Sequence, residues 1–123
     1  MAYTSGGPVF NKKQKEAMSW GLAPLVLKEA TAVADDTTPD VSNINVLMIG
    51  ANTGATAITQ LDGAIAGQVM VLIGTSASNS STIADSGNFK LSASGTWTAS
   101  VDETLVLYTS NGTTWIELSR STN

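Results

Sequence analysis

Apolar residues in this chain come in short pieces, seldom longer than six residues, parted by polar turn formers. That is the pattern of strands, whose side chains alternate between two faces. Residues 25–33 predict a first strand, and residues 45–49 a second, after the polar turn that holds Asp35, Asp36 and Asp40. A short strand is expected at 57–59. Residues 68–73 are apolar on both faces and predict a central, buried strand. Further short strands follow at 82–84, at 89–91 and around Trp97, with turns at Asp62-Gly63, at residues 85–88 and at Ser94-Gly95. About eight or nine short strands, with turn signals roughly every 8–12 residues, predict an all-β domain. A compact jelly-roll-like sandwich or barrel is the expected form, with a small β-solenoid as the alternative.

The clearest local signal lies at residues 105–120. Asn111-Gly112 is the favoured pair for a two-residue type I′ turn, in which both central residues take positive φ. Such a turn sets Tyr108 opposite Trp115, Leu107 opposite Ile116 and Leu105 opposite Leu118. Leu105, Leu107, Ile116 and Leu118 then form a core face. Val106, Tyr108, Trp115 and Glu117 form the other, a mixed aromatic surface.

The N-terminal stretch reads differently. Gly6-Gly7-Pro8, with Tyr3 and Val9, predicts an extended arm. Asn11 is a good helix N-cap and Gln14 completes a capping-box pattern, so a helix of about two turns is expected before Gly21 and Pro24. A helix so short is marginal alone. Phe10, Met18 and Trp20 therefore need a surface to dock on. The expected division is residues 1–23 as arm and residues 24–123 as β-domain.

Composition narrows the chemistry. The 123 residues contain no Cys and no His. Disulfides and thiolate metal sites are excluded, as are the usual general base and the commonest transition-metal ligand. The motifs of nucleotide-binding loops, zinc hydrolases and nucleophile elbows are absent from the sequence. Asp102 and Glu103 are neighbours that point apart in a strand, a poor pair for glycoside hydrolysis. The aspartates at 35, 36 and 40 read as a hydrated turn rather than a calcium clip. No enzymatic activity, metal or cofactor is expected. Only 13% of residues are charged, while Ser and Thr make up about a quarter of the chain. Residues 1–34 carry a net charge of +2 and residues 35–123 carry −6. The body should repel nucleic acid. No run approaches the ~18–20 apolar residues of a membrane span, and no signal peptide is evident. Trp97, Tyr108 and Trp115 are candidates for a sugar-stacking platform, with an interface patch or ordinary packing the stronger reading.

Several pieces of the last 60 or so residues share a family's pattern. They are a Gly67-Gln68 strand, the turn Asp85-Ser86-Gly87-Asn88 with Phe89 and Leu91, the strand ending in Tyr108, and the Trp-x-Glu-x-Ser-Arg pattern of Trp115, Glu117, Ser119 and Arg120. Together they resemble a β-module of tailed-bacteriophage virion proteins, found in tail fibres and in capsid decoration (cement) proteins, commonly as trimers. The short arm before the module favours the decoration protein. The resemblance implies a structural virion protein on the capsid exterior, synthesised in the host cytoplasm, with the major capsid protein and further copies of itself as partners. Tyr3, Val9, Phe10, Met18 and Trp20 would contact the shell. Val106, Tyr108 and Trp115 would join subunits. The alternative is a tail-fibre module that recognises host glycan.

Overall fold

The computed structural model describes residues 25–92 and 95–122. The expected arm, its helix and the five candidate shell-contact residues lie outside them. Eight strands are present among the described residues: β1 (Glu29–Thr31), β2 (Val46–Ile49), β3 (Val69–Gly74), β4 (Thr82–Ile83), β5 (Phe89–Lys90), β6 (Trp97–Thr98), β7 (Thr104–Thr109) and β8 (Trp115–Ser121). Six form one mixed sheet in the order β1-β2-β3-β7-β8-β5, and β4 pairs with β6 in a separate ribbon. The all-β class is as expected. The sheet is not closed into a barrel among the described residues, and β1, β2 and β3 run parallel, whereas a jelly roll's neighbours are antiparallel. Parallel neighbours need long crossovers, here residues 32–45 and 50–68. A parallel bridge, Asp40 to Asp62, ties the two crossovers together, and another, Ala57 to Thr82, ties the second to β4.

One face of the sheet carries the core. Leu47, Ile49, Met70, Leu72, Leu105, Leu107, Phe89 and Trp115 point inward and meet Val41, Ile44, Ile58 and Leu61 from the crossovers. Ile83 and Trp97 from the β4–β6 ribbon complete it. The three largest, Trp97, Trp115 and Phe89, are essentially inaccessible to solvent. Each removes ~150–250 Å² from water, about 4–6 kcal/mol on transfer. Gly74 ends β3 where the backbone of residues 99–100 crosses it. A Cβ there would lie 2.0 Å from the Ser100 carbonyl oxygen, so no other residue fits.

The β7–β8 hairpin departs from the expected register by one residue. Gly112 takes φ 85°, but Asn111 does not enter the left-handed region. Its side-chain oxygen instead accepts hydrogen bonds from the backbone N–H of Thr113 (2.9 Å) and Thr114 (2.8 Å), while the Gly112 N–H donates to the Thr109 hydroxyl. The asparagine thus closes the loop with its amide, and the turn widens to residues 110–114. Thr109 pairs with Trp115, Tyr108 with Ile116 and Leu107 with Glu117. A slip of one residue sends the first part of β8 to the faces opposite those expected, and the bulge at Leu118 returns Ser119, Arg120 and Ser121 to theirs. Trp115 and Glu117 turn into the core, and Ile116 and Leu118 turn outward. The slip therefore trades Ile116 and Leu118 for the large Trp115 indole and Glu117, whose buried carboxylate is compensated by its ion pair with Arg120.

Candidate functional site

The outward face of the six-stranded sheet is the most distinctive surface. Its positions follow from the register. They are Val46 and Met48 on β2, Val69, Val71 and Ile73 on β3, Val106 and Tyr108 on β7, and Ile116 and Leu118 on β8. Leu118 is 58% exposed, Ile116 47% and Val69 38%, while Val46 is buried and the other five are half-buried. The remaining outward side chains of these four strands are hydroxyls: Thr104, Ser119 and Ser121. No charged side chain stands on the outward positions of β2, β3, β7 or β8. Charge returns only at the two sheet edges, with Glu29 on β1 and Lys90 on β5, both exposed. The position of the first is fixed by Ala30, which packs on the core, and that of the second by buried Phe89. A sheet face open to solvent is ordinarily polar. A contiguous apolar panel of this kind is the candidate surface for a partner.

Of the residues expected to join subunits, Val106 and Tyr108 share this face, half-buried. Trp115 does not: its ring is fully enclosed on the other side of the sheet. The expected mixed aromatic surface is corrected accordingly, because the register slip exchanges Trp115 and Glu117 for Ile116 and Leu118. Sequence reasoning missed these last two. The signal available was the Thr113-Thr114 pair after Asn111, two more backbone donors for its amide oxygen. Asn111 and Gly112 shape the turn as structural residues. The sugar-stacking platform also dissolves, since Trp97 is 1% exposed and Trp115 not at all, leaving neither ring a face for a ligand. Their indole N–H groups have no partner among the described residues.

The residues that carry the family-like pattern are engaged within the fold. The Gln68 amide donates to the carbonyls of Val41 and Ile44 (both 2.8 Å) and its oxygen accepts from the Ile65 N–H, so one side chain clamps a crossover to β3. Asp85 accepts from the Leu91 N–H and Ser86 from that of Phe89, which closes the turn before β5. Glu117 and Arg120 form an ion pair at 2.6 Å, with side chains 2% and 17% exposed. In a regular strand residues three apart point to opposite faces. Here the register shifts between Val106 and Leu107, leaving Leu118 as an extra residue, and this bulge brings Arg120 to the same side as Glu117. Glu117 also accepts a short hydrogen bond from Ser92, and Arg120 donates to the Gly95 carbonyl. Burial alone raises the Glu117 carboxyl. The Arg120 and Ser92 hydrogen bonds and the guanidinium charge outweigh it and hold the group below the ordinary glutamate value.

The acidic turn contains no metal site among the described residues. Asp35 caps Thr53, Asp36 accepts from the Thr38 N–H, and Asp40 takes both the N–H and the hydroxyl of Ser42. Those two Ser42 bonds lower the Asp40 carboxyl below the usual range. The described residues also line two shallow hollows. One of about 700 Å³ lies at the sheet end beside Ile65, Gln68 and Val69, and one of about 290 Å³ between Ile58 and Gly87. Neither gathers titratable side chains. No family model, curated protein or solved structure matches the chain.

Proposed function

We propose that this chain is a structural virion protein: a capsid decoration (cement) protein that binds the outer surface of a phage head and bridges capsid subunits as a homotrimer. The observation that carries this reading is the uncharged apolar sheet face on a body whose pattern residues, Gln68, Asp85, Trp115, Glu117 and Arg120, are all engaged in holding the fold. Such a body offers a partner a surface rather than a reaction. In this reading Tyr3, Val9, Phe10, Met18 and Trp20 contact the major capsid protein. Three arms on one trimer multiply modest contacts by effective concentration. The basic segment and acidic body suit a division in which the arm meets the shell and the body faces outward.

The test is co-sedimentation of the full-length protein with purified phage heads stripped of it. Saturable binding, weakened by Phe10→Ala together with Trp20→Ala at unchanged circular dichroism, is the expected result. A chain that stays in the supernatant at all concentrations overturns the reading.

A further inference from the structure

The geometry points to one occupant for the outward sheet face: a second and third copy of this chain, with the β1 edge of each copy against the β5 edge of the next. The inference deepens the proposed function by placing its self-association, and rests on that reading only for the setting in which the trimer acts.

Charge complementarity argues for it first. The uncharged panel ends at Glu29 on one edge and at Lys90 on the other, both outward and neither with an ion-pair partner among the described residues. A sheet with an acidic and a basic edge is complementary to itself head-to-tail, and a closed ring then satisfies every edge. Glu29 lies in the row of Val46, Val71 and Val106, and Lys90 in the row of Ile116, Tyr108 and Val69. The rows are two residues apart along β3, roughly 6–7 Å. The flexible four-carbon stem of a lysine spans that offset.

Size sets the number of copies. Six strands at ~4.8 Å spacing make a sheet about 24 Å wide. Three such sheets in a triangular ring each stand about 7 Å from the axis. Half the usual spacing of packed sheets is about 5 Å, so long side chains fill the remainder. Tyr108, the largest side chain of the panel, stands on β7 beside the middle of the sheet, where the gap is widest. A ring of four would stand each sheet about 12 Å from the axis and leave a hollow no side chain here can fill. Two facing copies contribute of order 1,000 Å², at the threshold for a specific interface, and the third closes the ring.

The experiment is light scattering of the full-length protein over a concentration series, with circular dichroism as the control for folding. The expected wild-type mass is three times 12.7 kDa. Leu118→Glu, at a position already exposed, should give folded monomers. Glu29→Lys and Lys90→Glu should each raise the dissociation constant by roughly tenfold or more, and the two together should restore the trimer. A wild-type monomer at every concentration overturns the inference. So does a trimer that tolerates Leu118→Glu and both charge reversals. Trimerisation lost in Trp20→Ser but untouched by the reversals would seat the N-terminal segment on this face and overturn it as well. Co-sedimentation with heads is scored separately, so loss of the seam and loss of capsid binding are told apart.

Discussion

Replacing Trp115 with Ala, beside Ile116 with Ala, tests the register of the β7–β8 hairpin by which of two neighbours bears the core. Trp115 is fully buried. Truncating a core tryptophan costs ~3–5 kcal/mol. Its indole N–H has no partner among the described residues, so removal also relieves a desolvated donor worth ~1 kcal/mol. The net loss expected is about 2–4 kcal/mol. Ile116 is 47% exposed. Its three lost carbons, about half buried and leaving no closed cavity, are worth about 1 kcal/mol. A two-residue turn at Asn111-Gly112 reverses these values, because Ile116 would then point into the core and Trp115 outward. Urea denaturation of both variants, at protein concentrations low enough for midpoints independent of concentration, measures the difference directly. A larger loss for Ile116→Ala than for Trp115→Ala would refute the register and the outward face built on it.

Further expectations concern the turn, the crossing and the ion pair. Asn111→Ala should lose about 1–2 kcal/mol with its two backbone donors left uncapped, whereas Asn111→Asp keeps an acceptor there and should lose less; thermal melts compare them. Gly74→Ala forces a Cβ against backbone carbonyls and should cost ~1–3 kcal/mol or more in the same assay. The Glu117 carboxyl is lowered in the folded state, so its ionised form stabilises the fold fully above the unfolded glutamate value, and that contribution is lost as pH falls through the folded value. Acid titration of stability should therefore be shallower for Glu117→Gln than for wild type below about pH 4.5, and an identical slope would remove the ion pair from the account.

Much of the fold was legible from residue pattern alone. The strand at β2, the central position of β3 and the small strands β4 to β6 follow from alternation and turn residues. The first strand proved shorter, since residues 25–28 lie before β1 and Leu25 and Val26 are more than four-fifths exposed. The hairpin failed for a specific reason. Asn-Gly supports both a left-handed backbone and a side-chain cap, and the choice between them depends on what the rest of the chain buries. Trp115 fills the core beside Phe89, and that distant packing decides a local turn. The Glu117–Arg120 pair was unreadable because strand alternation parts residues three apart, and only the bulge at Leu118 reunites them. The candidate face was illegible with it, since its two most exposed members stand outward only after the slip.

The position of β8 in the sheet also sets an order of events. It pairs with β7 on one side and with β5 on the other, and its first residue fills the core. A chain under synthesis cannot seat β5 in the sheet or cover Phe89 until residue 115 and those after it have left the ribosome. The earlier parallel pairings span long separations and form slowly. Covering of this part of the core is therefore expected only once almost all of this domain is made. A product cut short before β8 keeps its apolar interior uncovered. It presents chaperones and proteases with an unfinished molecule rather than a weakened one.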